Sequence, residues 1–148
     1  MSDNQPNFET LSFKIGLSAV YWSKKPKYSV LLNGTKYEEG VCDESLSYVE
    51  FSVDLPEDRE SLLEIRLENK TNADTIVHNN EITHDMLLNI DSIEIDEIEL
   101  GTIKWDLSEF IADDPKRENM KQCVNLGWNG SYRLKFSSPF YLWLLENM

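Results

Sequence analysis

The sequence lacks the motifs that nucleotide-binding proteins build from glycine and that zinc or redox proteins build from cysteine. Only six glycines occur in 148 residues, and none stands in a GxGxxG or GxxxxGK[ST] pattern. The two cysteines, Cys42 and Cys123, are far apart and form no CxxC pair. This spacing favours two buried free thiols, with a disulfide between them as the alternative. No GxSxG nucleophile motif is present either.

Positive charge is scarce. Fourteen Lys and Arg residues stand against 27 Asp and Glu residues, which gives a formal net charge of −13. Such a chain repels phosphate backbones and anionic lipid surfaces, so nucleic acid and membranes are excluded as partners. A divalent cation or a basic partner surface remains compatible with this charge.

Long hydrophobic runs are also missing. The longest, FYLWLL at 140–145, falls far short of the roughly 20 residues of a membrane span. It is apolar on both faces, which predicts a strand in the centre of a sheet or in an interface. The first ten residues are polar and lack the apolar segment of a signal peptide. We therefore expect a protein made in the cytoplasm.

What the sequence has in abundance is alternation of apolar and polar residues. A period of two predicts half-buried strands. In DMLLNIDSIEID, residues 85–96, it places Ile93 and Ile95 on a buried face and Glu94 and Asp96 on a solvated one. The same alternation occurs in residues 11–19, 49–55, 63–67 and 132–136.

The turn residues complete the prediction of the fold. Asn33-Gly34 and Asn129-Gly130 tolerate the positive φ of a tight hairpin turn. Together with the strands they predict an all-β protein, an antiparallel β-sandwich of the jelly-roll type. We expect a flexible leader over residues 1–10 and a single domain over 11–148. A short helical or irregular insert is predicted near 107–122, where Pro115 limits any helix.

Residues 70–84 are polar and predict a long loop at one end of the sandwich, and long loops in compact domains are often functional. In and beside it, Asn69, Asp74 and Asp85 are candidate ligands for calcium, which prefers carboxylate, amide and carbonyl oxygens. An ordinary solvated loop is the alternative, since the EF-hand pattern is missing. His78 and His84 match no common zinc spacing. No catalytic residues are predicted, and we do not expect an enzyme.

Several stretches resemble the calcium-dependent xylan-binding modules, a family of small β-sandwich carbohydrate-binding domains. DMLLNIDSIEID is similar to the family pattern D-R-N-L-x-V-D-S-I, with Asp85 at its leading Asp. LLEIRLEN resembles the strand that leads to an N-D pair, with Asn69 at the Asn, and YSVLLNGTKY resembles the hairpin I-x-V-x-V-D-G-x-x-V. The likeness covers residues 11–100. It implies a non-catalytic binding or adhesion module with a calcium site.

The sequence departs from this pattern at three positions. Lys70 stands where the family has the Asp of N-D, and Met86 and Leu87 stand where it has Arg-Asn. An ammonium group in place of a carboxylate weakens the implied calcium site. Residues 101–148 match nothing in the pattern and are similar in style to small proteins of large tailed phages. A structural virion component, a capsid decoration or tail protein that uses the sandwich for protein contacts, is therefore the alternative function.

The four tryptophans supply candidate sugar-binding residues. Flat aromatic faces are common in glycan sites, and core packing is their ordinary alternative role. Trp128, beside the Asn129-Gly130 turn, is the first candidate, and Trp22, beside SKKPK, is the second. The expected partner is a glycan or another virion protein, and a homo-oligomer is compatible with either. The virion is then the alternative location.

Overall fold

The structure, a computed structural model, describes residues 7–148 and contains two antiparallel sheets. The first sheet has the spatial order β12 (Asn125–Leu126), β8 (Leu87–Ile95), β1 (Phe8–Val20) and β4 (Ser47–Pro56), with β9 (Ile98–Glu99) paired to β8. The second has the order β11 (Met120–Lys121), β10 (Glu109–Ala112), β13 (Gly130–Ser137), β5 (Glu60–Leu67), β2 (Lys27–Leu32) and β3 (Thr35–Val41).

Smaller elements lie between the strands and after the last of them. A separate hairpin is formed by β6 (Ile76–His78) and β7 (Glu81–His84), and a short 3-10 helix, Asn72–Asp74, precedes it. The α-helices are α1 (Ile103–Asp106) and α2 (Phe140–Asn147). None of the helices over residues 7–148 is long and apolar enough to cross a membrane.

The sheets pack face to face and bury the apolar side of each alternating strand. The ring of Phe13 in β1 lies 5.9 Å from that of Phe136 in β13, so the two sheets meet in one core. The predicted inward residues of β1 and β5 are all buried: Leu11, Phe13, Ile15, Leu17, Ala19, Leu63, Ile65 and Leu67. The predicted antiparallel β-sandwich is confirmed.

The stretch 85–96 forms the strand that its alternation predicts. Ile93 and Ile95 have no exposed surface, and Glu94 is half-buried on the outer face. Asp96 lies just beyond β8, in the turn to β9, with a φ of +51°. Its carboxylate accepts a hydrogen bond from the Ser12 N–H at 2.8 Å.

Of the two predicted Asn-Gly hairpins, the first is confirmed and the second is wrong. Asn33 and Gly34 have φ values of +50° and +83° and connect β2 to β3, as a turn with two positive φ angles requires. Asn129-Gly130 instead joins β12 of the first sheet to β13 of the second. An Asn-Gly pair signals a change of direction, and here that change carries the chain between sheets.

The prediction of a strand at FYLWLL is wrong, because this run lies in helix α2. Phe140, Trp143 and Leu144 are buried, and this spacing of three and four residues is that of one helix face. The insert near 107–122 is irregular over 113–119, between β10 and β11.

The predicted leader and the predicted loop are both shorter than expected. β1 begins at Phe8, which pairs with Pro56, so residues 8–10 belong to the sheet. The earlier part of the leader, residues 1–6, lies outside the described residues. The 70–84 segment contains the β6–β7 hairpin, whose turn residues Asn79 and Asn80 have φ values of +52° and +66°.

The prediction of two buried free thiols is confirmed: Cys42 and Cys123 are both buried and unpaired. Burial raises the pKa of the Cys42 thiol to about 11 and also raises that of Cys123. Neither thiol is activated as a nucleophile.

Candidate functional site

The candidate site residues lie around the segment that connects β5 to β8. This segment leaves β5 after Leu67, forms the 3-10 helix and the β6–β7 hairpin, and enters β8 at Leu87. The connection between β12 and β13, residues 127–129, packs against it through hydrogen bonds to Lys70. Two stretches almost 60 positions apart in the chain therefore form one end of the sandwich.

Lys70 is the centre of this end. Its side chain is only 3% exposed, which is unusual for lysine. The Nζ atom donates to Asp85 Oδ1 at 2.6 Å and to the Gly127 carbonyl oxygen at 2.6 Å. The Lys70 backbone is held as well, because the Asn129 side chain accepts from its N–H at 2.7 Å and donates to its carbonyl at 2.9 Å.

Asp85, the acid predicted to belong to a site, is the partner of this lysine. Its Oδ1 atom also accepts from the Thr75 hydroxyl at 2.7 Å and from the Met86 N–H at 2.8 Å. Burial raises the pKa of Asp85, but the hydrogen bonds from Lys70, Thr75 and the Met86 N–H outweigh it and hold the pKa below its ordinary value. The carboxylate is therefore kept ionised by donors of the protein itself.

The other two predicted calcium ligands bind elsewhere. Asn69 accepts from the Lys27 N–H at 2.8 Å and donates to the Lys25 carbonyl at 3.0 Å. Asp74 is buried and accepts from the Thr71 N–H at 2.7 Å, with the Lys24 ammonium 3.3 Å away. Burial raises the pKa of Asp74, and these hydrogen bonds lower it below its ordinary value.

The residues present do not fit a calcium ion. Within residues 7–148, no group of three His, Cys, Asp or Glu side chains is placed to hold a metal. Calcium takes six to eight oxygen ligands, whereas Asp85 contributes its carboxylate to an ammonium group. The two apolar departures also point away from a metal site, since Met86 is buried in the core and Leu87 is half-buried.

Trp128 lines two adjoining grooves at this end of the sandwich. The first, of about 400 Å³, is lined by Lys70, Asn72, Thr75, Ile82, Asp85, Arg117, Gly127 and Trp128. The second, of about 680 Å³, is lined by Phe110, Ala112, Lys116, Arg117, Glu118, Met120, Cys123, Asn125, Gly127 and Trp128. The half-buried indole thus separates a polar groove from a more apolar one.

Arg117 covers part of this tryptophan. Its guanidinium carbon lies 3.6 Å from the centre of the Trp128 ring, and Lys70 Nζ lies 5.5 Å from it. Among the described residues, no carboxylate lies within 4.0 Å of the Arg117 guanidinium. The cation–π contact therefore leaves its hydrogen-bond donors available to a ligand.

Trp22 reaches the same segment from the other side. Its indole N–H donates to the Asp74 carbonyl at 3.0 Å, and its ring lies 5.2 Å from the His84 ring. The indole is 45% exposed. The structure thus brings both predicted tryptophans to the 70–85 segment, although they line different surfaces of it.

Arg117 and the role of Lys70 are the features of this end that the sequence did not predict as functional. Nothing in the sequence places Arg117 beside Trp128. In the sequence, Lys70 stands out only because it occupies the position at which the family pattern has Asp.

The chain is thus a β-sandwich domain with a polar, tryptophan-lined groove at one end. No protein-family model matches the chain, and no curated protein matches it. Two solved structures have the same fold, each with a TM-score of 0.55 and 10% sequence identity.

Both structures are of one protein. The first is vCBM60 in complex with galactobiose, and the match covers 83% of this chain and 96% of that chain. The second is the selenomethionine form of vCBM60, with circular permutation described as an evolutionary link between two families of calcium-dependent carbohydrate-binding modules. That match covers 84% of this chain and 89% of that chain. The resemblance predicted from the sequence is therefore confirmed at the level of the fold.

Proposed function

We propose that the protein is a non-catalytic module that binds a glycan in the polar groove beside Trp128, the groove that Lys70 and Asp85 also line. The observation that carries this proposal is the fold, which this chain shares over most of its length with a carbohydrate-binding module. The groove supports it, because a concave surface of a few hundred Å³ with one aromatic wall and several polar groups is typical of small-ligand sites.

The chemistry of the groove suits a neutral polyol. The Trp128 ring offers an apolar surface to the C–H face of a sugar, while Arg117 and Asn72 offer hydrogen-bond donors to its hydroxyls. Because the Arg117 guanidinium lies against the indole, a sugar ring either shares that face with it or displaces it. Arg117 is therefore part of the proposed site together with Trp128.

The same groove is poorly suited to glycoside hydrolysis. Glycosidases generally use two carboxyl groups that flank the scissile bond. Of the described residues that line the groove, only Asp85 carries a carboxylate, and that carboxylate is bound by Lys70. Binding without catalysis is the function that these residues support.

A glycan array tests the proposal, with Trp128→Ala as the site variant and Trp105→Ala as its control. Trp105 is 44% exposed and lines neither groove, so its loss should leave binding unchanged. We expect glycan signal from the unmodified protein and the Trp105 variant, and at least a tenfold loss in the Trp128 variant. Silence on every glycan would contradict the proposal. A parallel Trp22→Ala variant shows whether Trp22 also contributes to glycan binding or whether Trp128 alone does.

Calcium is tested in the same array, because vCBM60 is described as calcium-dependent. The array is run once with millimolar calcium and once with a chelator. We expect equal signal in both, since Asp85 already holds an ammonium group at 2.6 Å. Signal confined to the calcium condition would contradict this expectation and would show that glycan binding depends on calcium, as the sequence resemblance implies.

A structural role through protein contacts, as in a virion component, is the second candidate function. The outer face of α2 favours it, because Tyr141, Leu142 and Leu145 are 53%, 57% and 68% exposed. Apolar side chains grouped in this way are typical of interaction surfaces. Light scattering of the purified protein tests the homo-oligomer that this surface would support. A dimer that Leu142→Ser and Leu145→Ser dissociate would favour this function, and a monomer at high concentration would count against self-association.

A further inference from the structure

The end of the sandwich around Lys70 contains a positive charge of its own, at the place where the sequence resemblance implies a divalent cation. Lys70 Nζ lies between the Asp85 carboxylate and the Gly127 carbonyl, at 2.6 Å from each. The Thr75 hydroxyl donates to the same Asp85 oxygen. Carboxylate and carbonyl oxygens are the ligand types that calcium prefers. Here one oxygen of each type binds an ammonium group.

We infer that the Lys70 ammonium replaces a divalent cation at this end of the protein, and that the identity of residue 70 decides whether the end needs a metal. The charge joins three parts of the chain: the segment after β5, the entry to β8 and the β12–β13 connection. A calcium ion ligated by the same oxygens would join the same three parts. The lysine does so without any dependence on calcium concentration.

The position of the lysine is fixed by more than its charge. The Asn129 side chain binds both the N–H and the carbonyl of Lys70, so the backbone at residue 70 is held beside Gly127. The Lys70 side chain is buried and points at Asp85 from that anchored backbone. A shorter oxygen-bearing side chain at the same position would start from the same place and face the same oxygens.

The ammonium group and a calcium ion cannot share this site. Two positive charges a few ångströms apart repel strongly in a partly buried site. Lysine also contributes no oxygen ligand, and it binds Asp85, the one carboxylate among the described residues that line the polar groove. The unmodified protein should therefore be indifferent to calcium.

The complementary expectation is that Lys70→Asp creates a calcium site. The variant places a second carboxylate near Asp85, the Gly127 carbonyl and the Thr75 hydroxyl, and it removes the ammonium group that balances the charge of Asp85. Without metal the two carboxylates repel and the protein is destabilised. Calcium should restore the lost stability, since a ligand that binds only the folded state stabilises it by mass action.

The experiment is thermal unfolding, followed by circular dichroism, of the full chain in a chelator and in millimolar calcium. The unmodified protein should shift by less than about 1 °C, and Lys70→Asp should gain about 5 °C or more with calcium. Lys135→Asp is the matched control, because it makes the same charge change at an exposed position on β13. It should show no calcium response.

A second variant keeps the test decisive if Lys70→Asp fails to fold. Lys70→Asn adds a neutral amide oxygen without carboxylate repulsion, and it should show a smaller calcium-dependent gain, which titration calorimetry measures directly. The inference is overturned if calcium stabilises the unmodified protein, or if neither variant binds calcium. No glycan is used, so these results are independent of the proposed glycan-binding function.

Discussion

The two ends of the second sheet are covered by different kinds of side chains, polar and charged at one end and apolar at the other. β5 and β13 pair from Leu67 opposite Gly130 at one end to Glu60 opposite Ser137 at the other. Beyond the first end lies the polar cluster around Lys70. Beyond the second lies α2, which packs Phe140 and Trp143 into the core, with the Trp143 ring against those of Phe136 and Phe140.

The two ends differ in role, since the apolar end stabilises the fold and the polar end positions the groups of the candidate site. Apolar closure by α2 stabilises in proportion to the surface that it removes from water. Polar closure by Lys70 and Asp85 contributes less net free energy, because desolvation of both charges offsets their attraction. It does fix the positions of polar groups, and it places them in the groove that also contains Trp128. The polar end is therefore suited to recognition, and the apolar end to stability.

The largest loss of stability is expected at the apolar end. Phe140→Ala should lower the free energy of unfolding by about 3–5 kcal/mol, because it leaves a cavity where a fully buried ring was. Urea denaturation measures the change. The control is Leu145→Ala, on the exposed face of the same helix, which should change stability by less than about 0.5 kcal/mol. Equal losses in the two variants would show that α2 does not pack as described.

A smaller loss is expected when the ion pair at the polar end is broken. Asp85→Ala should cost roughly 2–3 kcal/mol, somewhat below the value for a fully buried pair, because Asp85 is partly exposed. Lys70→Met should cost less, because it removes the more deeply buried charge and leaves Asp85, which is partly exposed and keeps its hydrogen bonds from Thr75 and the Met86 N–H. Urea denaturation measures both variants, and a larger loss of stability in Lys70→Met than in Asp85→Ala would contradict this prediction.

An exposed ion pair is the control for that prediction. Lys25 and Asp43 are 2.5 Å apart but largely in solvent. Asp43→Ala should leave the urea midpoint unchanged, because water screens such pairs.

Much of the fold could be predicted from the sequence because strand periodicity is a local signal. A period of two identified the buried faces of β1, β5 and β8, and Asn33-Gly34 identified a turn whose φ values only a few residues adopt easily. The prediction of a strand at FYLWLL is wrong for a physical reason, because a short run that is apolar on all sides fits a buried strand and a packed helix equally well.

The site could be predicted only in part, because its contacts join distant parts of the chain. The sequence indicated Asp85 and Trp128 as site residues, and the structure brings them to the same groove. It could not indicate that Lys70 pairs with Asp85 or that Arg117 covers Trp128. These contacts depend on how β5, β8 and β13 are arranged in space, and no local pattern encodes that arrangement.

The anchor of Lys70 should contribute less than its ion pair. Asn129→Ala removes two hydrogen bonds to the Lys70 backbone and should cost about 1–2 kcal/mol. Asn147 at the apolar end also makes a side-chain hydrogen bond, to the Trp143 carbonyl, but it is the last residue of α2, and helix ends fray. Asn147→Ala should therefore cost less than about 0.5 kcal/mol. A reversed order in urea denaturation would contradict the role assigned to Asn129.

The smallest expected effect is a dependence on pH that only the polar end should show. The pKa of Asp85 in the folded protein lies below its ordinary value, so the folded state binds fewer protons at this carboxylate than the unfolded state does. Its contribution to stability is therefore fully present above the unfolded pKa of about 3.9 and is lost as the pH falls through the lower, folded value. Urea denaturation from pH 7 to pH 3 should show the stability of the unmodified protein approaching that of Asp85→Asn at the acid end.

Phe140→Ala separates this effect from general acid destabilisation. That substitution removes an apolar ring and keeps the backbone N–H that donates to the Glu9 carboxylate, so the deficit of the variant relative to the unmodified protein should stay constant over the same pH range. A gap between the unmodified protein and Asp85→Asn that is as wide at pH 3 as at pH 7 would mean that the ionised carboxylate does not stabilise the loop end. The two ends would then differ in composition, but the charge of Asp85 would contribute nothing to the free energy of unfolding.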